Sequence, residues 1–163
     1  MKAVFDTKPT SIYDDEITQH YQFPRRYLAT VERCVGDRIV FRRPRADGGN
    51  LSYFACAQVS RLEPDPADPS MTFAQLRDFM QFDAPVAWTV NGRYWEEDLR
   101  NIPQHQVGAN LRGRSVRELS EEDFSAIIAA GLSETLAIEN AERLNLSPAL
   151  ATEAKLALQN TAR

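Results

Sequence analysis

The chain has only two cysteines and two histidines among its 163 residues, and its basic residues are almost all arginine, 16 against 3 lysines. Cys34 and Cys56 stand alone, with no CxxC or CxH spacing, so a zinc ribbon, a thioredoxin-type redox pair and a disulfide framework are excluded. Two such thiols read as small buried apolar side chains in a reducing compartment. His20 and His105 are far apart and fit neither HExxH nor an HNH-like spacing, which removes the usual metal-binding patterns. GxGxxG, GxxxxGK and the Ser, Cys and Lys nucleophile motifs are missing as well, so nucleotide-driven and acyl-transfer chemistry have no support. No run of about 18 apolar residues occurs, and the N-terminus lacks the long apolar stretch of a signal peptide. The sequence therefore predicts a cytoplasmic protein off the membrane.

What is present is an ordinary globular composition, 43% apolar and 26% charged, with 9 Pro and 7 Gly. At ~150 residues a single domain buries about two-thirds of its unfolded surface, so no disulfide or structural metal is required. The net charge of −4 is unevenly spread. Residues 1–117 hold 16 basic and 15 acidic side chains, whereas 118–163 hold 3 and 8. Arg38, Arg42, Arg43, Arg45 and Arg61 share their stretch with Asp47 alone, and Arg112, Arg114 and Arg117 form a second acid-free run. Arginine makes bidentate contacts with phosphates and base edges, so this clustering points to nucleic acid, against the plainer reading of a solvated face.

Hydrophobic periodicity outlines the elements. Residues 2–6 alternate as a strand, and 25–34 place Tyr27, Leu28, Val31 and Val35 at helical spacing behind Pro24, with Gly36-Asp37 closing the helix. Runs over 38–42 and 51–62 flank the Gly-rich turn at 44–50, which predicts a hairpin with an arginine-loaded tip. Three prolines in 63–69 make that segment a loop. Residues 71–82 fit a strand or a helix, and the neighbouring meander favours a strand. An edge strand over 83–90 ends at the Asn91-Gly92 turn, 94–99 reads as one or two helical turns, and 111–116 as a last short strand. Ser120 then caps a helix bearing Phe124, Ile127, Ile128 and Leu132, and two further amphipathic pieces follow over 138–146 and 147–159.

Few residues could carry chemistry. Asp14-Asp15 and Glu96-Glu97-Asp98 are acidic, but adjacent side chains on a turn point apart, and a solvated turn or helix start explains them better than a catalytic pair. In Tyr13-Asp14-Asp15…His20-Tyr21-Gln22-Phe23-Pro24-Arg25-Arg26-Tyr27, aromatics and hydrogen-bonding groups interleave before a helix start. Such a segment either holds a flat heteroaromatic ring, with a phosphate on Arg25 and Arg26, or forms an aromatic mini-core. Trp88, Tyr94 and Trp95 make a second aromatic group around Asn91-Gly92, which reads first as core packing.

An ordered series of short motifs carries a family resemblance. It comprises Lys8-Pro9…Tyr13-Asp14-Asp15, His20-Tyr21…Phe23-Pro24…Tyr27-Leu28, Gly36-Asp37…Ile39-Val40 and Glu63-Pro64-Asp65-Pro66. It continues with Phe82-Asp83-Ala84-Pro85-Val86, Gly92-Arg93-Tyr94-Trp95-Glu96…Leu99-Arg100 and Gly113-Arg114-Ser115-Val116-Arg117. Over residues 1–135 the chain resembles the N-terminal region of bacterial HNH-type restriction endonucleases. The first domain of that family is similar to a PUA-superfamily barrel, the group of the SRA, EVE and YTH modified-base readers.

The resemblance implies an α+β fold, a small, mostly antiparallel β-barrel with flanking helices, followed over 136–163 by a helical extension or linker toward a nuclease module. It implies a specificity domain that flips a modified base of double-stranded DNA into an aromatic pocket. The implied pocket is Tyr13, Asp14, His20, Tyr21 and Phe23, with Trp88 or Tyr94 as stacking partner, and the implied backbone contacts are Arg25, Arg26, Arg42, Arg43 and Arg45. No nuclease motif or cofactor site lies in this chain, so a divalent metal is expected only in the nuclease module, and a homodimer stays open. The alternative is an RNA-binding or protein-interaction module that uses the acidic helical end from Ser120 onward.

Overall fold

A computed structural model describes residues 1–7, 16–44 and 51–143. Six strands form one sheet in the order β2-β5-β4-β3-β1-β8. They are β1 (Lys2–Asp6), β2 (His20–Pro24), β3 (Arg38–Arg42), β4 (Ser52–Pro64), β5 (Met71–Ala87) and β8 (Val116–Leu119). All neighbours run antiparallel except β1 and β3, which pair in parallel from Ala3 opposite Ile39 to Asp6 opposite Arg42. A separate small hairpin, β6 (Thr89–Val90) and β7 (Arg93–Tyr94), turns at Asn91 and Gly92, which have φ of 53° and 75°. Positive φ at both central residues is what this two-residue turn demands, and Asn-Gly meets it. Five α-helices complete the described residues: α1 (Leu28–Glu32), α2 (Glu97–Arg100), α3 (Gln104–Asn110), α4 (Glu121–Gly131) and α5 (Ser133–Arg143).

The sheet is strongly curled. In a flat sheet β2 and β1 would lie four strand spacings apart, about 19 Å, yet the rings of Tyr21 and Phe5 are 4.7 Å apart. Register shifts at Tyr53/Ala55, Cys56/Gln58 and Val59/Arg61 along the long β4–β5 ribbon supply the bending, because each extra residue kinks and twists its strand. The Tyr21 hydroxyl donates to the Asp6 carbonyl at 2.8 Å, and the Tyr27 hydroxyl accepts from the Ser115 amide at 3.0 Å, so the concave side is closed from both edges.

Strand alternation separates two cores. The concave one holds Ala3, Phe5, Tyr21, Phe23, Ile39, Phe41, Ala55, Ala57 and Val59, plugged by Tyr27 and Val31 of the α1 segment. Burying each large side chain there contributes about 1.5–3 kcal/mol. Cys34 belongs to this core, and burial pushes its thiol up to about 11. Cys56 is buried on the opposite side, so both cysteines are the inert packing residues expected from their spacing. The convex face presents Val4, Val40, Tyr53, Cys56, Phe82 and Leu119 to Phe124, Ile127 and Leu132 of the α4 segment. Ser120 caps α4 by accepting from the Asp123 amide at 3.1 Å, with Glu121, Glu122 and Asp123 in the first turn. A methyl group on Gly131 would sit 2.3 Å from the Phe82 ring, so the close approach of helix to sheet needs a glycine.

The expected α+β fold, a small, mostly antiparallel barrel with flanking helices, is therefore present as a curled half-barrel, with several local corrections. The helix expected over 25–34 is a 3-10 turn at Arg25–Tyr27 followed by the short α1, and Val35 is exposed. The strand expected over 71–82 continues to Ala87. Beyond Gln75 it has β4 on one side only, a position where a strand tolerates Pro85. The last strand begins at Val116 and not at Leu111, and α3 was not anticipated, because Val107 is its only buried residue and so leaves no periodic signal. Of the two expected C-terminal pieces, α5 reaches Arg143 and the remainder lies outside the described residues. No helix among the described residues is long and apolar enough to cross a membrane.

Candidate nucleic-acid interface

The convex face is not apolar throughout. Two residues after Val4, and so on the same side of β1, Asp6 receives a bidentate contact from Arg42: Nε and Nη2 donate to its two carboxylate oxygens at 2.8 Å each. Arg117 of β8 donates Nη1 to Asp6 at 3.1 Å and holds Glu96 through Nε and Nη2 at 2.5 and 2.7 Å. The Tyr53 hydroxyl also donates to Glu96, at 2.7 Å. Arg42, Arg117, Glu96 and Tyr53 are all buried. Burial disfavours the Arg117 charge, but Asp6 and then Glu96 outweigh it and hold the guanidinium more strongly charged than an ordinary arginine. Burial first, then the Glu96 carboxylate, pushes the Tyr53 phenol well above its usual value. This connected set pins β1, β3, β4 and β8 to the turn before α2.

Trp88 covers one end of that set. The Arg42 guanidinium lies 4.5 Å from its ring centroid, and Tyr94 meets it edge to face at 4.9 Å. Among the described residues two buried donors in this cluster have no acceptor: Arg42 Nη1 and Trp88 Nε1. By contrast Trp95 Nε1 donates to the Ala87 carbonyl at 2.8 Å. Leaving a buried N–H unpaired costs about 1–3 kcal/mol, so the two together mark a place that lacks a partner. Tyr94 also lines a cleft of about 390 Å³ with Asn91, Arg93, Trp95 and Arg100. Arg100 is anchored there, donating to the Tyr94 and Trp95 carbonyls and to Asp123.

The structure divides the residues expected to form one pocket. Tyr21 and Phe23 point into the concave core, 3% and 1% exposed, and are packing residues in place of a pocket wall. His20, on the same strand, alternates to the other side, where its ring meets Phe73 edge to face at 5.0 Å. Trp88 and Tyr94 are brought together, on the convex face. Tyr13, Asp14 and Arg45 lie outside the described residues. Among the expected backbone contacts, Arg25 and Arg26 are exposed on the 3-10 turn, with Arg26 over the Tyr27 ring, and Arg43 is half-buried over Phe54 at 4.2 Å. Arg42 is 2% exposed and bound to Asp6, so it is not a phosphate contact. Glu96, expected in a solvated acidic run, is buried between Arg117 and Tyr53. Sequence reasoning missed the ion cluster, whose one legible signal is Asp6 in register with Val4 on an apolar strand. Among the described residues no group of three or more His, Cys, Asp or Glu is placed to hold a metal.

These features define a class of fold: an α+β half-barrel of six mostly antiparallel strands with helices on its convex side. Among solved structures the chain is similar to the N-terminal domain of McrB from Staphylothermus marinus. The two are 13% identical, and the match covers 80% of this chain and 94% of that one at a TM-score of 0.52. Rpa0253 from Rhodopseudomonas palustris is similar at 12% identity, 80% and 92% coverage and a TM-score of 0.50. At such identities the likeness is one of fold. No protein-family model and no curated protein matches the sequence.

Proposed function

We propose that this chain is a DNA-binding specificity domain that reads a modified base taken out of the stack and held at Trp88, and that in a longer protein it directs an HNH-type nuclease. The observation that carries the reading is the Trp88–Tyr94 aromatic pair beside the open cleft that Tyr94 lines with Asn91, Arg93, Trp95 and Arg100. Flipping a base costs a few kcal/mol. Stacking returns about 1–3 kcal/mol per base, and hydrogen bonds to the base edge supply the rest only for a base that fits. The likeness to the McrB domain supports the same reading through its fold, and the motif series read from the sequence supports it independently. In this reading Arg25 and Arg26, both exposed, and the half-buried Arg43 meet the DNA backbone.

Titration against matched duplexes, unmodified or carrying 5-methylcytosine, 5-hydroxymethylcytosine, N6-methyladenine or phosphorothioate, tests the proposal at two salt concentrations. One duplex should be preferred by about tenfold or more. Replacing Arg25 and Arg26 together by Ala should weaken binding to every duplex and flatten the log–log salt slope by about 2. Salt-sensitive binding without preference would reduce the domain to general DNA docking, and no binding at either salt would favour a protein-interaction module; either result overturns base reading.

A further inference from the structure

The segment between α2 and β8 is set apart by charge. Residues 101–115 include Arg112, Arg114 and His105 and no Asp or Glu at all. The buried side of the segment is apolar. Val107 and Leu111 cluster with Leu99 and Tyr94, and Trp88 packs against them, so this segment is the wall behind the aromatic pair. Its outer side, with Gln104, His105, Gln106 and Arg112, is exposed.

Both ends of the segment are anchored. It follows directly on Arg100, which lines the cleft beside Tyr94. It closes at Ser115, whose carbonyl accepts from the Asp6 amide at 2.7 Å and whose amide donates to the Tyr27 hydroxyl at 3.0 Å. The second of these bonds ties the end of the segment to the 3-10 turn that bears Arg25 and Arg26, across 88 residues of sequence. Arg117 Nη1 donates to the Arg114 carbonyl at 3.1 Å, so the backbone carrying the two arginines is fixed in advance and binding has little left to order.

Neither guanidinium is neutralised. Elsewhere on the surface Arg33, Arg61 and Arg100 each face a carboxylate, on Glu118, Glu63 and Asp123. Arg114 Nη1 donates to the neutral side chain of Asn110, and Arg112 has no ion-pair partner among the described residues. Two uncompensated cations on an acid-free surface attract a polyanion, and the guanidinium fork matches phosphate oxygens. Resting on the DNA-binding function proposed above, we infer that residues 101–115 dock on the phosphate backbone of duplex DNA through Arg112 and Arg114. The surface joins the aromatic site to the turn bearing Arg25 and Arg26. It fixes where the duplex lies and leaves discrimination among bases to the aromatic site.

The full chain carrying Arg112→Ala and Arg114→Ala together, titrated against modified and plain duplexes over a range of salt, tests this. Binding to every duplex should weaken about tenfold or more and the log–log salt slope should flatten by about 2. The ratio of modified to plain binding should stay unchanged. Arg112→Lys with Arg114→Lys keeps both charges and should restore the slope. Arg61→Ala, which removes an arginine already paired with Glu63, should leave the slope as in the wild type. If the double variant does not fold, Arg112→Ala alone breaks no side-chain hydrogen bond or ion pair among the described residues and should flatten the slope by about 1.

An unchanged slope with the modified-base preference intact would overturn the inference and leave base reading standing. A fall in the modified-to-plain ratio at constant slope would assign the two arginines to the base site and overturn it too. A change of slope with an RNA duplex and none with DNA would overturn it in favour of RNA. Absence of DNA binding by the wild type would overturn the parent function, and the inference with it.

Discussion

The two faces of the curled sheet use the same residue types to opposite ends. On the concave face Phe5, Tyr21, Phe23 and Phe41 interlock, and the Tyr21 and Tyr27 hydroxyls each have a backbone partner, so nothing polar among these aromatics is left for a ligand. On the convex face Trp88 and Tyr94 lie beside a buried ion cluster in which donors outnumber acceptors. The contrast teaches that an aromatic segment interleaved with polar groups is not by itself a binding site. What distinguishes the two sets is whether the hydrogen-bonding capacity around the rings is used up.

The comparison can be broken most forcefully at Arg117. Arg117→Ala leaves Glu96 and Asp6 as buried carboxylates short of a partner, and should lower the unfolding free energy by about 3–5 kcal/mol in urea denaturation. Gly131→Ala, which drives a methyl group into Phe82 on the convex face, should cost about 1–3 kcal/mol by the same measurement. Tyr21→Phe removes one hydroxyl from the concave core and should cost about 1 kcal/mol, with the ratio of modified to plain DNA binding unchanged. A fall in that ratio would place Tyr21 in the site and erase the distinction between the faces.

The smallest effect concerns the ion pair at Asp37, beyond both cores. Burial alone would raise this carboxyl, but hydrogen bonds from Lys2 and the N-terminal ammonium outweigh it and hold Asp37 well below the usual carboxylate range. The folded pKa is the lower one, so the stabilisation is present above the unfolded value of about 3.9 and is lost as pH falls through the folded value. Asp37→Asn should therefore flatten the acid limb of the stability profile below about pH 4. Solvent screening keeps the change small, since the side chain is 27% exposed.

Much of the fold was legible in the sequence because its signals are local. Alternation marked β1 and a β-rich run marked β3 at their observed bounds, Asn91-Gly92 announced its turn, and Ser120 with three following acids announced α4. The candidate site was legible only as a set of aromatics, and they were grouped by nearness in the chain. Tyr21 and Phe23 are close in sequence to His20, yet a period of two puts both of them on the face opposite to His20. Trp88 and Arg42 are far apart in sequence and meet only because β3 and the end of β5 flank β4.

By itself the sequence determined most of the strands, the Asn91-Gly92 turn, the Ser120 cap of α4, the buried state of both cysteines and the absence of the motifs of a metal enzyme, since propensity, periodicity and spacing act over a few residues. Tertiary structure alone decided which aromatics fill the concave core and which meet beside the ion cluster, and that Arg42 and Glu96 are buried and not exposed. Those outcomes depend on curling a six-stranded sheet until distant side chains compete for the same buried partners, and no local pattern encodes that competition.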